Sequence, residues 1–140
     1  FLLDRHAAEQ IESVDHGYRR KSRRVQAWLE EFLGDEIIEC RGGQAGFYFY
    51  PTFRTVETDE SSPFFRFLAR STGDPDIDGP ADRRRPRVIY IPGRHFVDPD
   101  GDMVEVARRQ LRFSYGFEEL DRIGAAVRLM AEAVEYARSR

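Results

Sequence analysis

Two long stretches of the chain repeat apolar residues at helical spacing. In the first, the apolar positions mostly recur at intervals of three, four and seven residues, at Ile11, Val14, Tyr18, Val25, Trp28, Leu29 and Phe32. The second runs from Phe117 through Arg138, with apolar residues at Leu120, Ile123, Val127, Met130, Ala131 and Val134. Each pattern predicts a long amphipathic helix with one face packed against a core, and Gly34 is expected to end the first helix.

Four shorter segments have the composition of strands. Residues 36–40 and 47–51 flank a glycine-rich turn, residues 88–91 form a continuous apolar run typical of a buried strand, and residues 110–115 alternate. Ser62 and Pro63 precede residues 64–70 and predict the start of a short helix. The order of elements predicts an α+β two-layer sandwich, in which a mainly antiparallel sheet of three to four strands carries the long N- and C-terminal helices on one face.

Residues 71–87 interrupt this pattern. They contain three prolines, two glycines and four aspartates beside Arg83–Arg85, and no apolar periodicity survives among them. We therefore predict an exposed, mobile insertion at 71–87 within a single domain of residues 1–140. Its arginine cluster is more typical of a solvated loop than of a phosphate site.

Composition and charge narrow the class of protein. With 41% hydrophobic and 13% aromatic residues the chain is too apolar for a disordered segment, and its length suits one domain. The net charge of −3 and the pI near 5.7 give no global attraction to nucleic acid or to an anionic membrane. A single cysteine, Cys40, excludes an internal disulfide and favours a cytoplasmic location. The first residue is not methionine, so we expect the chain to be cut from a longer protein.

The chain contains one lysine, Lys21, among its 22 basic residues. Any chemistry that needs a lysine amine must therefore use Lys21 or a residue outside this sequence. The context of Lys21 is a basic run, residues 19–24, which we interpret as the solvated face of the first helix.

The residue types used in hydrolytic and metal sites are scattered. His6 and His16 fall on the first helix, His95 follows a strand, and neither Cys40 nor Ser114 lies in a nucleophile-elbow sequence. The histidines also lack the spacing of metal ligands, so we predict no metal site.

Arg112 is the strongest candidate for a binding residue. In the alternating segment 111–115 it shares one face with Ser114, while Leu111, Phe113 and Tyr115 occupy the other. A guanidinium presented from a rigid strand can bind a planar carboxylate through two parallel hydrogen bonds. The alternative is an arginine on the solvent face of an edge strand.

Three segments and the final helix together resemble a known family. Residues 43–50 (GQAGFYFY), 90–96 (YIPGRHF) and 111–115 (LRFSY) look like parts of the C-terminal small domain of class I/II aminotransferases, which are fold-type I enzymes dependent on pyridoxal phosphate. The resemblance covers nearly the whole chain and is nearest to the valine–pyruvate aminotransferase-like group.

This resemblance implies roles for particular residues. Arg112 matches the family arginine that binds the α-carboxylate of the amino acid or 2-keto acid substrate. Pro92, Gly93 and Phe96 match a Pro-Gly-x-x-Phe segment near the active-site entrance. Gly46 and the aromatic residue after it match an architectural pair at the start of a central strand. Ala45, where the family usually has glycine, and the insertion at 71–87 depart from the family pattern.

The resemblance also implies what the chain lacks. In the family, a large domain holds pyridoxal 5'-phosphate and supplies the Schiff-base lysine, and Lys21 has no matching sequence context. The parent protein is expected to be a cytoplasmic homodimer that transfers amino groups between an amino acid and a 2-keto acid, while the isolated chain is expected to be inactive.

Two other interpretations remain open from the sequence. The chain could be a non-catalytic, stand-alone α+β module that uses residues 43–50 and Arg112 to bind a carboxylate ligand or a protein partner. A weaker interpretation is a nucleic-acid-associated domain that uses the basic runs 19–24 and 83–85.

Overall fold

A computed structural model describes residues 2–140 of the chain. Five α-helices, four strands and one 3-10 turn follow each other along it: α1 (Leu2–Leu33), β1 (Ile37–Gly42), β2 (Tyr48–Phe53), α2 (Pro63–Ala69), α3 (Pro75–Asp78), β3 (Ile91–Pro92), the 3-10 turn (Gly93–Phe96), α4 (Val104–Ala107), β4 (Leu111–Ser114) and α5 (Leu120–Arg138). The two long helices and the short helix after Ser62 confirm the predictions made for them.

The strands form one antiparallel sheet in the order β1-β2-β4-β3. Tyr48 of β2 lies opposite Ser114 of β4, and Ile91 of β3 lies opposite Arg112. The sheet, together with the long terminal helices, confirms the predicted α+β fold. In this order β4 is an inner strand, although it comes last in the sequence.

The hydrophobic core fills the space between one face of the sheet and the helices. Its buried residues come from α1, α2, α5, β2 and the β4 region, and include Val25, Trp28, Leu29, Phe49, Phe53, Phe64, Leu68, Leu111, Phe113, Tyr115, Val127, Met130 and Val134. Gly124 allows α1 and α5 to approach closely, because a Cβ atom there would lie 3.1 Å from the Trp28 ring. On the opposite face of the sheet, Tyr48 and Ser114 are exposed and Arg112 is half-buried.

A buried carboxylate joins the ends of α1, β2 and α5. Glu36 is 3% exposed and accepts hydrogen bonds from the backbone N–H of Thr55 (2.7 Å), the hydroxyl of Thr55 and the backbone N–H of Val56. The Arg138 guanidinium donates to its second oxygen at 2.6 Å. Burial acts to raise the pKa of Glu36, but these hydrogen bonds and the arginine charge outweigh it and hold the pKa below its ordinary value.

The prediction of a buried strand at 88–91 is wrong in its extent and its burial. The strand covers only Ile91–Pro92 and lies at the sheet edge, and Ile89 is 60% exposed. Of the predicted run, Tyr90 is buried, and the backbone N–H of Val88 donates to Leu68 of α2 instead of to a strand. A continuous apolar run does not distinguish an inner strand from a segment that crosses an edge.

The two long helices differ from prediction at their N-terminal parts. α5 begins at Leu120 rather than at Phe117, because Glu119 is in the extended conformation and Phe117 is fully exposed. In α1, Ile11 and Val14 belong to the apolar stripe but are 69% and 53% exposed. The first half of α1 therefore carries apolar surface that the core does not cover.

The segment 71–87 has a hydrogen-bonded centre. The Asp78 side chain is buried and accepts hydrogen bonds from the backbone N–H groups of Thr72 (3.1 Å) and Gly73 (2.9 Å) and from the Thr72 hydroxyl. Arg84 lies 3.8 Å from Asp78, which gives one member of the arginine cluster an acidic neighbour within the segment. The mobility predicted for 71–87 stays a prediction.

Candidate functional site

Strand β4 presents Arg112 on the face of the sheet opposite the hydrophobic core. Leu111, Phe113 and Tyr115 are buried at 0%, 9% and 1% exposure, whereas Arg112 is half-buried and Ser114 is exposed. This alternation confirms the predicted division of residues 111–115 between two faces. Because three neighbouring side chains are fixed in the core, the backbone that carries Arg112 is held firmly in place.

Two aromatic rings contact the Arg112 guanidinium. Its Cζ atom lies 4.5 Å from the centroid of the Tyr48 ring and 4.4 Å from the centroid of the Phe96 ring. Tyr50 packs edge-on against Phe96, with ring centroids 5.8 Å apart. Burial raises the pKa of Tyr50, although the positive charge of Arg112 acts in the opposite direction. We call Arg112, Tyr48, Tyr50 and Phe96 the arginine cage.

The arginine cage leaves the hydrogen-bonding groups of Arg112 available. In the part of the chain that the structure describes, none of the ion pairs or side-chain hydrogen bonds includes the Arg112 guanidinium. A guanidinium has five N–H donors. The aromatic rings stabilise its positive charge, but they offer no lone pairs to accept hydrogen bonds from these donors. The cage is therefore suited to a planar anion that approaches the guanidinium edge.

Pro92 and Gly93 fix the chain that leads to Phe96. Pro92 is buried and lies opposite Leu111, and the backbone N–H of Gly93 donates to Gln110 at 2.7 Å. A Cβ atom at position 93 would lie 2.4 Å from the backbone oxygen of Ala107, so this approach requires glycine. The three residues predicted near an active-site entrance thus lie beside Arg112: Phe96 contacts it and Pro92 and Gly93 hold the turn.

Glu60 contacts two residues at the centre of the 3-10 turn. Glu60 lies 2.7 Å from Nε2 of His95 and 2.8 Å from the Arg94 guanidinium. Burial acts to raise the pKa of Glu60, but the hydrogen bond to His95 and the charge of Arg94 outweigh it and lower the pKa. The turn that carries Phe96 is therefore anchored by backbone contacts at its start and by Glu60 at its centre.

The glycine-rich loop before β2 is attached to the end of β4. The Tyr115 hydroxyl donates to the backbone oxygen of Gly46 at 2.8 Å, and the Tyr115 backbone N–H donates to Phe47 at 2.8 Å. The Phe47 ring packs on Tyr18 of α1, with centroids 4.8 Å apart. Gly46 has a φ of 77°, which glycine adopts without strain. Gly46 and Phe47 are held beside an inner strand and do not belong to the arginine cage.

Lys21 is not a free surface amine. Its Nζ atom is 3.1 Å from the backbone oxygen of Gly116, to which it donates, and the residue is half-buried. The interpretation of Lys21 as a solvated residue of the basic run is therefore corrected: its ammonium group links α1 to the segment after β4. Elsewhere in that run, Arg19 pairs with Asp15 at 2.6 Å, and Arg24 lies over the Trp28 ring.

The remaining candidate nucleophile and metal ligands do not form a site. Cys40 is exposed, and partial desolvation together with the neighbouring Glu39 carboxylate raises the pKa of its thiol, which makes it a weak nucleophile at neutral pH. His6 and His16 are exposed on α1, and His95 contacts Glu60. Across residues 2–140 the structure holds no group of three acidic, histidine or cysteine side chains arranged to bind a metal ion.

The length and polarity of the described helices can be compared with those of membrane-spanning helices. Within residues 2–140, every helix is too short or too polar to span a lipid bilayer.

Tyr48 and Tyr50 were predicted only as part of the segment 43–50, and Glu60 was not predicted to lie near the site. The alternation in residues 47–50 carries a signal for the first two, since Tyr48 and Tyr50 lie on the face opposite the buried Phe49. Glu60 lies 35 residues from His95 and shows no local signal.

Comparison with known proteins identifies the fold. No family model matches the chain, and no curated protein matches its sequence. Among solved structures, the chain is similar to LysN, an α-aminoadipate aminotransferase from Thermus thermophilus whose structure was determined in complex with N-(5'-phosphopyridoxyl)-L-leucine. The similarity has a TM-score of 0.70 at 20% sequence identity and covers 99% of this chain.

This comparison establishes the fold of the chain. The chain spans 30% of the length of LysN, so it has the fold of one part of an aminotransferase.

Proposed function

We propose that this chain is the small domain of a pyridoxal-phosphate-dependent aminotransferase and that Arg112 binds the α-carboxylate of its amino acid and 2-keto acid substrates. The observation that carries the proposal is the arginine cage: a half-buried guanidinium on a rigid inner strand, contacted by two aromatic rings and without an acidic partner among the described residues. The similarity of fold to LysN supports the part of the proposal that concerns an aminotransferase domain.

Binding at Arg112 would orient the substrate. Two parallel hydrogen bonds fix both carboxylate oxygens, and they thereby fix the direction of the bonds at the neighbouring carbon, where amino transfer takes place. A reacting group held in one orientation gains a large rate advantage over one that rotates freely. Arg112 is thus proposed as a substrate-binding residue, with no part in proton transfer.

The described residues do not fit a complete pyridoxal phosphate site. The cofactor would supply an electron sink for the substrate and would need a lysine amine to hold it in the resting enzyme, whereas the chain's single lysine donates to Gly116. We therefore propose that a separate, larger domain of the same protein holds the cofactor. The isolated chain is expected to lack transaminase activity.

The first half of α1 offers a surface for that larger domain. Ile11 and Val14 are exposed apolar residues, and with Tyr18 and Phe47 they line a groove of about 770 Å³. Contiguous apolar patches that are exposed on a protein surface commonly mark interaction sites. Since the chain spans 30% of the length of LysN, we propose that the larger domain covers this groove.

The family resemblance adds finer features to the proposal. It favours the valine–pyruvate aminotransferase-like group, a homodimeric parent protein and a cytoplasmic location. Because Arg112 and the cofactor would lie on different domains, carboxylate binding would draw the two domains together and exclude water from the site.

The test is the substitution Arg112→Ala in the full-length protein that contains this chain. Loss of a charge-assisted, bidentate hydrogen bond of about 1.5–3 kcal/mol predicts a fall in kcat/KM for amino acid substrates of about 10- to 150-fold. Arg122→Ala is the matched control, because Arg122 is an exposed arginine of α5 that pairs with Glu118. An Arg112→Ala protein with the kcat/KM of the wild type would overturn the carboxylate-binding role.

A further inference from the structure

The rings of the arginine cage reach Arg112 from both sides of its strand. β4 lies between β2 and β3; Tyr48 belongs to β2, and Phe96 follows β3 in the 3-10 turn. Both ring centroids lie within 4.5 Å of the Arg112 Cζ atom. At this separation no layer of water fits between either ring and the guanidinium carbon. An anion must therefore approach through the N–H edge of the guanidinium.

The shape of the anion then matters. A carboxylate is planar and can lie in the plane of the guanidinium, with both oxygens on parallel N–H donors. A tetrahedral anion such as a sulfonate places a third oxygen outside that plane. Two rings with centroids 4.5 and 4.4 Å from the Arg112 Cζ atom leave little room beside the guanidinium for that oxygen. We infer that Tyr48 and Phe96 are positioning residues that make Arg112 selective for planar carboxylates over tetrahedral oxyanions.

This inference deepens the proposed function. It rests on that function in one respect, namely that the bound carboxylate belongs to a substrate. The selectivity itself depends on the fixed position of the rings. Tyr48 lies on a strand paired with β4, and Phe96 is held by the 3-10 turn that Gly93 and Glu60 anchor. Both rings are partly exposed, at 44% for Tyr48 and 41% for Phe96, so their replacement leaves the core intact.

The experiment measures binding of two matched anions to the chain of residues 1–140. Acetate and methanesulfonate both carry one negative charge and one methyl group, but acetate is planar and methanesulfonate is tetrahedral at its anionic group. Each is titrated while the Arg112 Nε–H signal is followed by NMR, with that signal assigned by its loss in Arg112→Lys. The readout is the ratio of the two association constants, which a purely structural role of the rings would not change.

The ratio is compared in Tyr48→Leu and Phe96→Leu and in the ring-preserving variants Tyr48→Phe and Phe96→Tyr. We expect the preference for acetate to fall by about two- to fivefold in each leucine variant, the size expected when one exposed cation–π contact that orients the guanidinium is lost. The ring-preserving variants are expected to keep the wild-type ratio. Backbone NMR spectra establish that each variant is folded.

Three results would overturn the inference. The ratio of the acetate to the methanesulfonate association constant could be unchanged in both leucine variants, it could fall equally in the ring-preserving variants, or acetate could fail to bind at Arg112. A failure of the proposed function is distinguishable from these results. A full-length protein without transaminase activity would contradict the proposed enzyme, whereas the anion preference measured on this chain would stand.

Discussion

The buried carboxylate of Glu36 should make the stability of this fold depend on pH. Glu36→Gln retains the shape of the side chain and removes its charge. The side chain keeps an oxygen for the Thr55 backbone N–H, but the group 2.6 Å from the Arg138 guanidinium is no longer anionic. Loss of a hydrogen bond between charged groups costs about 1.5–3 kcal/mol when the site is buried, and Glu36 is 3% exposed. We expect the free energy of unfolding at pH 7 to fall by this amount.

The sign of the pH dependence follows from the lowered pKa of Glu36. A carboxyl group whose pKa is lower in the folded than in the unfolded chain contributes stability above the unfolded pKa, near 4.5. That contribution is lost as the pH falls through the lower, folded pKa. The difference in stability between the wild type and Glu36→Gln should therefore be complete at pH 7 and should narrow progressively below the ordinary carboxyl pKa.

Urea unfolding followed by the fluorescence of Trp28, which is 7% exposed in the core, measures this difference at each pH. Glu135→Gln is the matched control, because Glu135 contacts the same arginine at 3.1 Å but is 75% exposed at its side chain. An exposed pair contributes about 0–1 kcal/mol, so this variant should remain close to the wild type. Equal effects of the two substitutions at pH 7, or a difference that does not narrow in acid, would contradict the stabilising role of the Glu36 charge.

Two further substitutions test how the site and the short helix are built. Gly93→Ala should destabilise the fold by about 1–3 kcal/mol, since its Cβ atom would lie 2.4 Å from the backbone oxygen of Ala107. The control is Gly17→Ala, where the new Cβ atom would lie in open space on α1; it should be neutral or stabilising in the same urea titration. An equal effect at the two glycines would contradict the close approach at position 93. Ser62→Ala should cost about 1 kcal/mol because the Ser62 hydroxyl caps α2, whereas Ser61→Ala, measured alongside it, should change stability by less than about 0.5 kcal/mol.

The sequence predicted the parts of this fold that depend on local periodicity. The alternation of residues 111–115 placed Arg112 on the face opposite Leu111 and Phe113, and the structure has that arrangement. The same reasoning failed at residues 88–91, because a continuous apolar run contains no alternation from which to derive a face. The backbone there turns toward α2, a tertiary interaction that local sequence does not specify.

The candidate site was predicted in part. Arg112 was predicted from strand alternation and the family resemblance, and Phe96 from the resemblance alone, but their contact joins a strand and a turn. Tyr48 reaches the cage through the β2–β4 register, which the separate segments do not determine. Glu60 acts on the turn through a contact between residues 35 positions apart, so only the folded chain brings it there. Long-range pairing, rather than residue type, was the missing information.

Arg112 is proposed to recognise a substrate carboxylate, and a comparison of two matched substrates tests that role. In the full-length protein, kcat/KM is measured in the wild type and in Arg112→Ala for an amino acid that the protein transaminates and for the amine that is the same molecule without its carboxylate. We expect the wild type to prefer the amino acid strongly and Arg112→Ala to lose about 10- to 150-fold of this preference, with little change for the amine. A preference for the amino acid that survives the substitution undiminished would contradict the carboxylate-binding role.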